Sequence, residues 1–233
     1  MKISAFAIPE IIPGKQNVKN DKLDQADKLV KAKKKTYPQV ELVSEDAALD
    51  ADIIIIPKDA KTDLILRDLD FVETRLAKAP QDKEKIILDK MKSVLEKEDF
   101  ISAIGLTDQE KEVVSGYGLL TLKPVIVINK EELENMGVLL ARVLAESGFI
   151  SFLTVGDKEN RAWLIKKGTT AWVAAGAIHS DIQQGFIRAE IISFADFISH
   201  GGETGAKQAG LMRLEQKDYI MQDADLVNFR FNK

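Results

Sequence analysis

Four groupings of residues in this chain have the types and spacing to do chemistry. Asn129-Lys130-Glu131-Glu132 places an amide and a carboxylate three residues apart, directly after an aliphatic run at 125–128. An Asn amide reads a purine edge, and a carboxylate accepts purine N–H bonds. The same Asn129 reads equally well as the N-cap of a helix beginning near Lys130, with Glu131 and Glu132 well placed in its first turn. Gly14-Lys15 supplies the glycine and the cation of a phosphate loop. Gln16 stands where a magnesium-binding hydroxyl is needed, however, and no glycine lies five residues before Gly14. His179 with Asp181 is the pair with acid–base character, but only Ser180 adjoins it as a nucleophile, and a hydrogen-bonded structural histidine is the plainer reading. Arg161, Lys166, Lys167, His179, Arg188, Lys207 and Arg230 form a basic set for RNA or a protein partner, diluted by Glu159, Glu190, Glu203 and Glu215. No catalytic residue and no metal-ligand set is assigned.

Composition bounds the rest. The 233 residues are 45% hydrophobic and 30% charged, enough for one large domain or two smaller ones. A net charge of −4 gives no global nucleic-acid footprint, so an RNA contact requires a local basic face. Absence of cysteine excludes disulfides and thiolate chemistry, and two histidines leave little for a zinc or haem site. No apolar run is long enough to span a bilayer and no signal peptide is evident, so a cytoplasmic protein is expected.

The elements that must position these groups follow from periodicity. Residues 3–8 read as a short buried strand bounded by prolines, 39–43 as another, and 53–56 as an aliphatic strand buried on both faces. Residues 20–35 predict an amphipathic helix with the basic tail KAKKK, whose lysines suit either a solvated helix end or RNA. Ile65, Leu69, Val72 and Leu76, then Ile87, Met91, Val94 and Leu95 beyond Pro80, predict a helical hairpin at about 61–115. A helix towards Glu146 ends at Gly148. Alternation at 162–167 gives a strand, Gly168 breaks it, and Thr169 or Thr170 caps a helix from Ala171. Gly185 frees the backbone for a turn into a strand with Phe186, Arg188, Glu190 and Ile192 on one side. Residues 229–231, FRF, form the last strand with its aromatics inward, and Trp163 and Trp172 read as core or edge packing.

The run AAGAIHSDIQQGFIRAEIISFADFI, followed by GGETGAKQAGLMRLEQKDYIMQDADLVNFRFNK, resembles the C-terminal TGS domain of the YchF (Obg-like ATPase) family. That family ends in AGxIHxDxxxGFIRAEV and then RLEGKDYxVQDGDVxxFRFN. The resemblance covers 149–233 and implies a β-grasp, ubiquitin-like sheet over one or two helices. Gln216 and Ala224 replace family glycines, which puts two local φ angles in question. Upstream, LILRDLDFVETRL at 64–76 resembles the family's ILxDLxxVExRL, and LLTLKPVIVIN resembles its LLTxKPVxYxxN. The resemblance also implies that Asn129 and Glu132 stand where related GTPases carry NKxD, which fits a preference for adenine. The family's P-loop and DxxG elements have no counterpart in PEIIPGKQN or VELVSEDAALDADIIII.

The expected fold is therefore α/β plus α+β. Residues 1–148 form a reduced P-loop-like α/β core with a helical hairpin, and 149–233 form a β-grasp TGS domain. The expected function is a non-enzymatic TGS-domain protein lacking NTPase motifs, without a cofactor, binding ribosome, RNA or protein. Two alternatives stand beside it. One is a residual purine-nucleotide-binding protein or sensor, taking ATP or GTP through Asn129 and Glu132. The other is a structural adaptor or dimerisation protein whose hairpin holds a protein partner.

Overall fold

A computed structural model describes residues 1–232. In chain order the first half comprises β1 (Lys2–Ala5), β2 (Gly14–Asn17), α1 (Asp21–Leu29), β3 (Lys34–Thr36), β4 (Gln39–Val43) and β5 (Ile53–Pro57). Then come α2 (Lys61–Ala77), α3 (Asp82–Leu95), α4 (Asp108–Val114), β6 (Val125–Ile128) and α5 (Met136–Glu146). The remainder is β7 (Phe149–Thr154), β8 (Glu159–Lys166), α6 (Ala171–Ile178), α7 (Ser180–Gln184) and β9 (Phe186–Ile192). It closes with α8 (Phe194–Ser199), α9 (Glu203–Gln208), β10 (Arg213–Glu215) and β11 (Leu226–Phe231). The chain is a mixed α/β protein with two sheets in two compact units. One unit is Met1–Gln16 with Val40–Met136; the other is Asn17–Gln39 with Gly137–Lys233. The division differs from a single cut near residue 148, because 17–39 belongs with the C-terminal residues.

The first unit carries a five-stranded sheet of order β2-β4-β1-β5-β6, in which β4, β1, β5 and β6 run parallel. Ile53, Ile54, Ile55 and Ile56 are all fully buried, as a central parallel strand requires. α2 and α3 pack as the expected hairpin. Ile65 and Val72 meet Ile87, Leu88, Met91 and Leu95, and the Arg75 guanidinium donates twice to Glu84. Asp68 on α2 is buried, and its carboxylate accepts the Thr121 N–H and hydroxyl, both at 2.7 Å, and the Leu120 N–H at 3.3 Å. Burial raises its pKa in spite of those bonds.

The second unit is a six-stranded mixed sheet of order β10-β9-β11-β7-β8-β3, with β11 parallel to β7 and β3 parallel to β8. Alternate residues feed two cores. Phe152, Ile165, Ala189, Ile191, Val227 and Phe229 pack on Ala171, Ala174 and Ala175 of α6. Leu153, Ala162, Ile192 and Leu226 pack on Leu23 and Ala26 of α1, Phe197 of α8 and Ala206 of α9. Thr170, not Thr169, caps α6, its hydroxyl accepting the Val173 N–H.

Several local expectations are corrected. The helix predicted over 20–35 stops at Leu29, Val30 is extended, and Lys34–Thr36 forms edge strand β3. A lysine run offers no apolar stripe to bury, while its backbone finds partners elsewhere. The Lys33 N–H donates to the Asp157 carbonyl at 3.0 Å, and Asn160 Nδ2 donates to the Val30 carbonyl at 2.6 Å. Phe186 lies on the core side with Ala189 and Ile191, not with Arg188 and Glu190, because the register with β11 shifts at Phe231. Phe229 is buried but Phe231 is exposed, and Trp172 is exposed whereas Trp163 is half-buried against Phe152. Gly185 has an ordinary φ of −85°; a Cβ there would meet the Asn232 carbonyl oxygen at 1.9 Å, so close approach is what requires glycine.

Candidate nucleotide site and basic surface

In the first unit β1, β5 and β6 end side by side, and the chain turns away from each end differently. After β1 the backbone turns at Ala7 (φ 53°), whose N–H donates to the Glu45 carboxylate at 3.1 Å. After β5, Pro57 leads into a short 3-10 turn and then α2. After β6, Asn129 opens a 3-10 turn. These departures enclose a cavity of about 300 Å³ lined by Ala7–Glu10 residues, Pro57, Asp59, Ala60, Asp63, Ile128, Lys130 and Leu133. A crevice outside the carboxyl ends of parallel strands, with neighbours on either side of β1, is where open α/β sheets take ligands. The cavity has an apolar floor of Ile8, Pro57, Ile128 and Leu133, and a rim of Glu10, Asp59, Asp63 and Lys130. Lys130 Nζ lies 4.0 Å from Asp59.

Asn129 and Glu132 border this cavity in sequence but do not line it. The Glu132 carboxylate accepts the Asn129 backbone N–H at 2.8 Å, the reciprocal arrangement of a capping box. Gly14 and Lys15 fall in β2, an edge strand, with no helix beginning directly after β1. Among the described residues no cluster of three or more His, Asp or Glu is placed to hold a metal ion, and no helix is long and apolar enough to cross a membrane.

The basic candidates of the second unit do not share one face. Arg161 stacks on the Trp163 ring, its guanidinium 3.8 Å from the centroid. Lys166 and Lys167 are exposed at the far end of β8. Arg188 and Arg230 are register partners across β9 and β11, with Arg230 paired to Glu190 at 2.9 Å. Lys207 pairs with Glu203 at 2.5 Å. His179 caps α7, its Nδ1 accepting the Asp181 N–H at 3.1 Å, a structural role. Of the cavity's charged groups, Lys130 lies within the Asn129–Glu132 grouping read from sequence, whereas Glu10, Asp59 and Asp63 belong to no motif, their position just after predicted strand ends being the usable signal.

The family model "YchF-GTPase_C: Protein of unknown function (DUF933)" matches residues 149–232. The ribosome-binding ATPase YchF of Haemophilus influenzae is 34% identical over 233 residues, covering 73% of this chain and 64% of that protein. The ribosome-binding ATPase YchF of Buchnera aphidicola subsp. Acyrthosiphon pisum is 30% identical over 249 residues, covering 84% of this chain and 68% of that protein. This chain belongs to the YchF family. The structure of the Schizosaccharomyces pombe YchF GTPase matches with a TM-score of 0.73 at 18% identity, covering 96% of this chain and 90% of that one, a likeness of fold. The chain spans less than two thirds of the length of the Haemophilus relative.

Membership corrects the expectation of a non-enzymatic protein. The YchF relatives of Haemophilus influenzae and Bacillus subtilis, 34% and 31% identical, are named ATPases. The expectation rested on the missing P-loop and DxxG elements, and motif absence alone does not exclude activity. Phosphoryl transfer asks for positioning and charge stabilisation, which groups outside a glycine-rich loop also supply.

Proposed function

We propose that this protein is a purine-nucleotide-binding YchF-family member that acts at the ribosome, with ATP or GTP taken into the cavity beyond β1, β5 and β6. The observation that carries this reading is the position of that cavity at the carboxyl ends of parallel strands. Its apolar floor suits a purine ring, which leaves the phosphates directed outward towards Lys130. Three carboxylates against one lysine oppose a bare triphosphate, so a divalent cation carried in with the nucleotide offsets them. Hydrolysis enters the proposal through the relatives' names. Glu10, Asp59 and Asp63 are the cavity groups able to accept a proton from water. Asn129 turns its amide to the base once the nucleotide is present, at the cost of its capping role. The C-terminal unit, with α6 against one face of a mixed sheet, is proposed to be a TGS-type β-grasp module that docks on the ribosome.

Calorimetry with ATP and GTP in magnesium, alongside phosphate release with and without ribosomes, tests the reading. Binding in the high micromolar to millimolar range is expected, weakened about tenfold by Lys130→Ala. No heat at millimolar nucleotide, or binding indifferent to Lys130 and Asp63, removes the cavity from consideration.

A further inference from the structure

The segment 17–39 carries seven lysines against three aspartates, whereas 137–233 carries eleven charges of each sign. The net positive charge of the second unit therefore resides in this one segment, which the fold lays along the outer edge of β8. Its aspartates are largely occupied. Asp24 accepts from Lys35 at 2.6 Å and from the Tyr37 hydroxyl, and Asp27 accepts from Asn160 Nδ2 at 2.7 Å. Lys28, Lys31 and Lys33 are exposed and make no ion pair among the described residues, and neither does Lys158, one residue beyond the Asp157 carbonyl that receives the Lys33 N–H. Lys34 shares Glu159 with Thr36. Beside them lies a polar cavity of about 550 Å³, lined by Lys34, Tyr37, Gln39 and Arg161 among others. There the Arg161 guanidinium lies 3.8 Å from the centre of the Trp163 ring, near enough to Glu159 to feel its charge but in no salt bridge with it among the described residues, a planar cation suited to a stacked base.

We infer that this edge, with Lys28, Lys31, Lys33, Lys34, Lys158 and Arg161, is an RNA-binding surface that grips phosphates and stacks an unpaired base on Arg161. The inference rests on the ribosomal reading above and assigns it a surface. The carboxylates along this edge are Asp24, Asp27, Asp157 and Glu159, and with Lys35 the cations number seven against those four. Lysines on an edge strand also discourage strand-to-strand aggregation. That role accounts for Lys34 but not for Lys28, Lys31, Lys33 or Lys158, which lie outside β3. A lipid surface fits less well, because Leu29 is the one large apolar residue exposed in 17–39.

The test uses the full chain with K31Q/K33Q/K34Q, a second variant K158Q/R161Q, and K166Q/K167Q as the control. Binding to a ribosomal RNA hairpin is followed by fluorescence anisotropy from 50 to 200 mM salt, beside ribosome co-sedimentation and binding to phosphatidylserine vesicles. The triple variant should lose affinity at least about tenfold at 100 mM salt and lower the salt slope by about 2 to 3, with an unchanged urea midpoint. The second variant should lose affinity as well, and the control should stay within twofold. Triple-variant affinity within twofold of wild type overturns the surface, as does aggregation of that variant with RNA binding intact. Vesicle binding by the wild type as tight as RNA binding also overturns it. If the wild type itself fails to sediment with ribosomes, the ribosomal function falls. If it sediments and the triple variant does too, only this surface falls.

Discussion

Ala224 holds a φ of 63° while 1% exposed, so an alanine occupies the left-handed region where the family pattern has glycine. Its N–H donates to the Ser151 carbonyl, and its methyl packs in the cluster around Phe197. Three effects decide what glycine would do there. Relief of the left-handed conformation favours it by about 1 to 2 kcal/mol. Loss of a buried methyl costs about 0.8 kcal/mol, and greater unfolded-state entropy costs roughly 0.4 to 1 kcal/mol. Ala224→Gly is therefore expected within about 1 kcal/mol of wild type. Ala224→Val, branched and overpacked at the same angle, should lose about 3 kcal/mol. Urea midpoints check both, and a strongly stabilising glycine would show that the methyl contributes nothing. Gln216 is the contrast: it is not among the positive-φ residues, so replacing the family's glycine there carries no backbone strain.

Elements were legible where burial and capping agree. Strand β6 at Val125–Ile128 and helix α6 from Ala171 follow directly from an aliphatic run and a threonine cap. Strand β3 was not legible, because its pairing with β8 spans more than 120 residues and no local period records it. The strand-end cavity was missed for a related reason: Glu10, Asp59 and Asp63 converge only once the parallel order of β1 and β5 is known. Helix α4 supplies a pH-dependent element. The Lys90 ammonium at 2.5 Å, then the Thr107 N–H and hydroxyl, hold the Glu110 carboxyl at about 2. A depressed folded-state value stabilises the fold above the unfolded value of about 4.3 and is lost as pH falls from there towards 2. The Glu110 carboxyl resonance should titrate in that low window and move up in Lys90→Gln. An ordinary titration in the wild type would mean that this pairing does not persist in solution.

At the scale of the molecule, the family match at 149–232 and the compact unit that contains it have different limits. Leu23 and Ala26, both fully buried, cover Leu153, Ala162 and Leu226 from a segment outside the matched region. Lys22 pairs with Asp223 at 2.7 Å, and Asn20 donates to the Ser151 hydroxyl at 2.9 Å. A fragment of 149–233 alone should bind a hydrophobic dye and unfold at lower urea than a version with 17–39 joined to it by a linker. Equal behaviour of the two would show that the added segment is only draped on the surface.

The parallel pairing of Lys34–Thr36 with β8 also fixes an order of events on the translating ribosome. At roughly 5 to 20 residues per second, the early lysine-rich stretch waits about 6 to 25 s before Glu159, Asn160 and Arg161 are even polymerised. Throughout that interval its backbone has no docking partner and Leu23 has no core to enter. The C-terminal half of this protein can complete its sheet only by reaching back for a strand that was made first.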